Sequence, residues 1–256
     1  MRLMCVLAHP DDESLGTGGT LAKYAAEGVE TYLVTATRGE HGRFGDAPDR
    51  PTADVIGTTR EAELRAAALE LGVREVVVLG YPDGGLDAVR PAIAQDAIAE
   101  QLCRVKPHVV ITFGPEGAYG HPDHIAISQL TAAAIVRAAA RAHAVSKLYH
   151  FCWSAPTWAA YQTAIKKLTS TVDGVERQVI PAPDWQITTR IDTSAVWPAV
   201  WRAVQCHRTQ MSVYANLAAL PPEHHRALWG VQEFYRAFSL VNGGRTRESD
   251  LFEGLR

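Results

Sequence analysis

The sequence predicts an α/β fold: a Rossmann-like, mostly parallel sheet with helices on both faces and a smaller C-terminal elaboration. Two observations carry that prediction. Short, continuously apolar runs alternate with longer Ala- and Leu-rich stretches through roughly residues 3–151. Runs that are apolar throughout, rather than at alternate positions, mark strands covered on both faces. In addition, the polar clusters at residues 9–13, 81–85 and 119–124 each follow closely on such a run. Right-handed crossovers put all the strand C-termini of a parallel sheet on one edge, where ligands bind.

In order, residues 3–8 read as a strand, 18–28 as a helix closed by Gly28, and 30–35 as the second strand. Residues 60–71 read as a helix, with Thr58 and Glu61 spaced as a capping box and Gly72 at its end. Strand 75–79, helix 92–105 stopped before Pro107, strand 108–113, helix 125–141 and strand 147–151 complete the alternation. After about residue 153 the pattern loosens. Residues 186–191 read as a strand and 193–205 as a helix capped by Asp192 or Thr193. The tail after Asn242 is polar and expected to fray. No repeat or linker divides the chain. The expectation is one domain over 1–256, with 1–152 as the core and 153–256 lining the substrate cleft.

Composition narrows the function classes. The 256 residues are 47% hydrophobic and 21% charged, with a formal net charge of -3. Lys and Arg are scattered, so no footprint for nucleic acid or a membrane surface is expected. No run of about eighteen apolar residues suggests a membrane span. Cys5, Cys103, Cys152 and Cys206 are far apart and form no CxxC, which favours buried free thiols in a reducing compartment. With no signal-peptide pattern at the start, the expected setting is cytoplasmic.

The first polar cluster is His9-Pro10-Asp11-Asp12-Glu13. So many ionisable groups in one short loop are costly to bury without a cation, and imidazole with carboxylate is an ordinary zinc set. A solvated acidic loop, with Asp12 or Glu13 starting the next helix, is the plain alternative. The second cluster is Tyr119-Gly120-His121-Pro122-Asp123-His124, whose histidines allow one on a metal and one free. Surface histidines at a helix start, with Asp123 answering the helix dipole, would explain it more simply. Both His-Pro-Asp triplets, however, fall at strand C-termini of one sheet, and a shared metal site is the more economical account. In Tyr81-Pro82-Asp83-Gly84-Gly85, turn duty and substrate contact are equally good readings of Asp83. Arg38, His41 and Arg43 follow the second strand; turn or surface duty is expected of His41 and Arg43.

Taken as a pair, Ala8-His9-Pro10-Asp11-Asp12-Glu13 and Tyr119-Gly120-His121-Pro122-Asp123-His124 resemble the signatures of the LmbE-like, or PIG-L, zinc-dependent N-deacetylases. That family includes deacetylases of N-acetylglucosaminyl-phosphatidylinositol and the deacetylases and amidases of mycothiol and bacillithiol metabolism. The resemblance covers roughly residues 2–142, with Thr59-Arg60-Glu61-Ala62-Glu63 and Asp83 as supporting matches. In the back half only His207-Arg208-Thr209-Gln210 is similar to a family element.

The resemblance implies that His9, Asp12 and His124 ligate one zinc ion per chain, a set that iron(II) also suits. It implies Asp11 as general base and His121 as the imidazolium that steadies the tetrahedral intermediate and protonates the leaving amine. Tyr119 would bond the oxyanion and Asp123 would orient His121, while Arg60 and Asp83 would contact substrate. Glu13 is expected beside the site or at the helix start. These roles make chemical sense: three ligands leave a position for water, whose pKa zinc lowers toward roughly 7. The reaction implied is removal of an acetyl or other acyl group from the amide nitrogen of an N-acetylglucosamine-type sugar or related small molecule. A thiol-conjugate amidase and a non-catalytic sugar-binding protein are the alternatives, and a homo-oligomer is left open.

Two further readings are weaker. Gly16-Thr17-Gly18-Gly19 opens a helix as in nucleotide-binding folds, but it is no GxGxxG and acidic residues occupy the place of a pyrophosphate. Close packing of the helix is the better reading of those glycines. A two-metal phosphoesterase would need more bridging carboxylates. Trp153, Trp158, Trp185, Trp197, Trp201 and Trp229 crowd the back half, where core packing is expected for most and sugar stacking for some.

Overall fold

The computed structural model describes residues 1–46, 49–164, 168–244 and 246–256. Five strands, β1 (Arg2–Leu7), β2 (Glu30–Thr37), β3 (Glu75–Tyr81), β4 (Val109–Phe113) and β5 (Lys147–Cys152), alternate with helices. The helices are α1 (Asp12–Ala26), α2 (Ala53–Glu70), α3 (Pro91–Val105), the single turn α4 (Gly117–Gly120) and α5 (Pro122–Arg141). Then follow α6 (Ala155–Ala164), the hairpin β6 (Thr169–Val172) and β7 (Val175–Gln178), β8 (Thr189–Asp192) and α7 (Trp197–Cys206). The short α8 (Ala215–Ala218), α9 (Pro222–Trp229) and β9 (Val231–Ser239) complete the order.

Seven strands form one sheet in the order β3-β2-β1-β4-β5-β9-β8. β1 to β5 pair in parallel, and β9 runs antiparallel to both β5 and β8. The predicted α/β, mostly parallel sheet is the one observed. The central strands explain why it was readable: every residue from Leu3 to Ala8 is buried, as their unbroken apolar run requires. α3 packs on α5, while α1 and α2 pack on α7. β1 and β4 are neighbours, and this adjacency brings the two His-Pro-Asp loops together.

Several elements differ from expectation. α1 starts at Asp12 rather than near residue 18, so Asp12 and Glu13 form its first turn, where the helix dipole favours negative charge. The glycines therefore lie inside α1, where a Cβ on Gly19 would stand 2.8 Å from Thr193 Cβ, as close packing predicts. α2 starts earlier as well. Its cap is Thr52, whose side chain accepts from the Val55 N–H, and Thr58 and Glu61 fall inside the helix rather than forming a capping box. Gly72 does end it, in the left-handed region at φ 70°.

The largest correction concerns the tail. Glu248, Leu251 and Phe252 are buried rather than frayed. The Glu248 carboxylate accepts from Lys147 Nζ at 2.8 Å, Tyr149 Oη at 2.7 Å, Thr189 Oγ1 at 2.8 Å and Asn242 Nδ2 at 2.7 Å. Arg236 Nη1 stands 2.8 Å from Oε1, the oxygen that Lys147 and Asn242 also reach. β9 was not anticipated either, because Gln232 and Glu233 interrupt its apolar run, and both are buried with partners. All four cysteines are free, Cys5 fully buried and the others partly so. Trp229 is in the core, Trp153 stacks on Trp158, and Trp185 is exposed. Among the described residues no helix is long and apolar enough to cross a membrane.

Candidate metal centre and catalytic cleft

The loops after β1 and β4 meet over the sheet edge. The backbone N–H of His9 donates to Asp12 Oδ2 at 2.8 Å, which folds the first loop back on itself. On the other loop His121 caps α5, its Nδ1 accepting from the Asp123 N–H at 3.2 Å, and this sets His124 in the first turn. The His124 ring lies stacked on Phe113, with centroids 3.9 Å apart.

Three side chains converge at one point. His9 Nδ1 is 3.2 Å from His124 Nε2 and 3.6 Å from Asp12 Oδ2, and His124 Nε2 is 3.5 Å from Asp12 Oδ1. With bonds of about 2.1 Å, the edge of a tetrahedral coordination sphere is about 3.4 Å long. The His9–His124 spacing therefore fits two ligands along one edge of a small cation's coordination sphere, while Asp12 turns a different oxygen to each imidazole; two imidazoles and a carboxylate are a donor set that zinc or iron(II) accepts. Burial above all pushes the His124 pKa down to about 3, which favours the neutral ring, and its Nε2 faces the site.

A second layer fixes His9. Its Nε2 lies 3.0 Å from Asp123 Oδ2 and 3.1 Å from Asp83 Oδ1. Asp123 is itself anchored, accepting from Gly84 N at 2.7 Å and Leu86 N at 3.0 Å. Asp83 accepts from the His41 N–H at 2.9 Å. Burial works against the Asp83 charge, but His9 and the His41 N–H bring its pKa down to about 2. The third polar cluster thus faces the candidate metal centre, but through His9. The Asp123 carboxylate reaches His9 and not His121, to which only the Asp123 backbone N–H extends. His41 lies on an exposed turn, as expected, and from there also lines the cleft, whereas Arg38 pairs with the exposed Asp54.

Asp11 lies between these parts in an unusual conformation, φ 101° and ψ -24°. Its Oδ2 accepts from Tyr214 Oη at 3.0 Å and Arg60 Nη2 at 3.2 Å. Burial raises the Asp11 pKa to about 6, the Arg60 charge opposing the rise. Arg60, expected on substrate, is only 4% exposed. It also donates to Gly39 O at 2.7 Å and Pro10 O at 2.6 Å, bracing the loops after β2 and β1 while still lining the cleft. A Cβ on Gly39 or Gly42 would collide with its guanidinium, which accounts for both glycines. Tyr214 was missed, since it stands alone in the back half without any neighbouring motif.

The remaining predicted residues also arrive. Tyr119 lies in α4, its ring edge-on to His121 and His124 at 5.9 and 5.3 Å between centroids. The His121 ring is 4.8 Å from each of His9 and His124. His9, His121 and His124 offer ligand atoms within 4.8 Å of one another. The cleft over them is about 410 Å³, with His41, Asp83 and Gly84 on one wall and Leu15, Phe151 and Trp153 on another.

Similarity to known proteins agrees with this geometry. Residues 4–135 match the PIG-L family, described as GlcNAc-PI de-N-acetylase. The 1D-myo-inositol 2-acetamido-2-deoxy-alpha-D-glucopyranoside deacetylase of Mycobacteroides abscessus is 35% identical over 291 aligned positions, which take in 99% of this chain and 98% of that protein. The N,N'-diacetylchitobiose deacetylase of Pyrococcus horikoshii superposes with a TM-score of 0.65 at 18% identity, covering 92% of this chain and 83% of that one. The 4-carboxy-2-hydroxymuconate hydratase of Pseudomonas putida KT2440 does so with a TM-score of 0.67 at 17% identity, covering 95% and 98%. At such identities the two structures speak for the fold alone, and they show it carrying two different reactions. The family match over half of the chain and the relative aligned along its whole length establish that this chain belongs to the PIG-L, or LmbE-like, family.

Proposed function

We propose that the chain is a zinc-dependent hydrolase that removes the acetyl group from the amide nitrogen of an N-acetylglucosamine-type sugar conjugate. One observation carries the reading: His9 Nδ1 and His124 Nε2 stand at tetrahedral-edge spacing, the Asp12 carboxylate offers one oxygen to each within 3.6 Å, and Asp11 lies in the same cleft. The deacetylase names of the curated relatives support the substrate class.

His9 Nδ1, Asp12 and His124 Nε2 hold the metal in this reading. Bound there with one position open, zinc supplies a Lewis acid for the amide carbonyl and draws the pKa of water toward about 7. Asp11 takes the proton of the attacking water, the task for which a partly buried carboxylate beside the centre is placed. Arg60 and Tyr214 hold that carboxylate in one orientation. His121 protonates the leaving nitrogen, since an amine departs from the tetrahedral centre only once protonated. Tyr119 donates to the oxyanion, a charge that a pre-aimed hydroxyl stabilises without reorganising. Asp123 and Asp83 fix the His9 ring and raise its basicity as a ligand.

The test is elemental analysis of wild type and an Asp12→Ala, His124→Ala double variant, with amine release measured on N-acetylglucosamine derivatives. The expected result is about one zinc per wild-type chain, none in the variant, and amine only from loaded wild type. Iron in place of zinc would correct the ion. Failure of wild type to take up any metal when offered both would sink the proposal.

A further inference from the structure

Glu13 and His207 are two fully buried ionisable residues to which the proposed chemistry gives no task. His207 Nε2 donates to Glu13 Oε1 at 2.7 Å, and Ser14 Oγ donates to the same oxygen at 2.5 Å. The other oxygen, Glu13 Oε2, accepts the backbone N–H of Asp11 at 3.0 Å. Asp11 is one of four non-glycine residues at positive φ among those described, and its φ of 101° lies beyond the left-handed basin that Asp tolerates. Such a conformation persists only where surrounding contacts over-determine it. The side chain of Asp11 is held by Arg60 and Tyr214, but only Glu13 reaches its N–H.

We propose that Glu13 and His207 form a positioning pair that locks the Asp11 peptide in its left-handed conformation and so aims the Asp11 carboxylate into the cleft. The inference rests on the reading of Asp11 as the base. Glu13 cannot do this alone: a carboxylate with no exposure to water needs donors of its own, and beside the neighbouring Ser14 hydroxyl His207, just past the end of α7, supplies the one that can carry a charge. The back half of the chain thereby enters the reaction through the geometry of a residue in the front half. Neither Glu13 nor His207 lines the cleft, so both act through Asp11 and neither touches substrate.

The test is a double-variant cycle with four readouts: kcat, KM, metal content and melting temperature. Glu13→Ala should lower kcat about a hundredfold, the cost typical of a misplacement near 1 Å, with KM and metal content within about twofold of wild type. Glu13→Gln keeps an oxygen for the Asp11 N–H and should recover most of that loss. In an Asp11→Asn background, Glu13→Ala should cause no further fall, because effects that run through one residue do not add. A merely structural role would instead lower metal content and melting temperature together and would persist in the Asp11→Asn background. Should Glu13→Ala not fold, His207→Gln takes its place in the cycle with the same expectation. An inactive Asp11→Asn beside a fully active, folded Glu13→Ala overturns the positioning pair alone. A fully active Asp11→Asn overturns the base assignment, and the pair with it.

Discussion

Replacing Asp123 with Asn tests how the proposed metal centre is built. Both Asp123 oxygens are in use: Oδ2 faces His9 Nε2 at 3.0 Å and Gly84 N at 2.7 Å, and Oδ1 faces Leu86 N at 3.0 Å. An amide has one oxygen only, so at least one of these donors would meet an NH2 group. In a fully buried position that costs about 1–3 kcal/mol of stability. The effect on the metal is separate. Losing the carboxylate behind a ligating imidazole lowers metal affinity by about 10–100-fold, or about 1.4–2.7 kcal/mol. Asp83 Oδ1 remains 3.1 Å from His9 Nε2, so the single variant should fall at the lower end of that range. Asp83→Asn alone should cost less than Asp123→Asn, since it leaves the better anchored carboxylate in place. The double variant should lose more than the sum, because each single variant still has the other acid. Zinc dissociation constants from competition with a chromophoric chelator, beside melting curves, separate the two effects. A double variant that binds zinc within twofold of wild type would falsify the carboxylate-backed reading of His9.

Two further outcomes concern the scaffold. Burial would raise the Glu248 carboxyl, but Lys147, Asn242, Tyr149 and Thr189 bring it from the ordinary 4.5 to about 2. Its contribution, about 3 kcal/mol, is therefore complete above pH 4.5 and lost as pH falls toward 2. Glu248→Gln should lower the melting temperature at pH 7 by roughly 6–12 °C and flatten its decline between pH 5 and about 3; equal acid sensitivity in the two proteins would refute this. Gly19→Ala should destabilise by about 1–3 kcal/mol through overpacking, read as a shift of the urea midpoint. Thr193 cannot turn aside freely, because its Oγ1 donates to Trp229 O at 2.5 Å, and an unchanged midpoint would mean that α1 and Thr193 separate without cost.

The front half was legible because its signals are local. A strand buried on both faces shows itself as an apolar run, and a polar cluster at its end shows where the sheet edge is used. Joining the His9 and His124 loops needed only the adjacency of β1 and β4. Side-chain direction was less legible. Asp123 follows His121 by two positions, yet its carboxylate turns to His9, because α5 carries it inward while the Gly84 and Leu86 amides hold it there. Arg60 lines the cleft, but its bracing contacts were not legible: the glycines at 39 and 42 give its guanidinium room to lie against the neighbouring loops. Tyr214 and Glu248 left no trace at all. Each is a single polar residue with decisive partners far off in the chain: Asp11 for Tyr214, Lys147 and Thr189 for Glu248.

The place of β9 bears on the order in which the molecule can be made. It lies between β5 and β8 although β8 precedes it in the chain. On a ribosome, β1 to β5 can assemble as each emerges, whereas β8 has no neighbour to pair with until residues 231–239 have followed. The two His-Pro-Asp loops belong to the part completed early, yet His207 and Tyr214 come from the part completed late. A nascent chain thus holds the proposed cation ligands before it holds the residues that shape Asp11, and the setting of Asp11 waits on the back half.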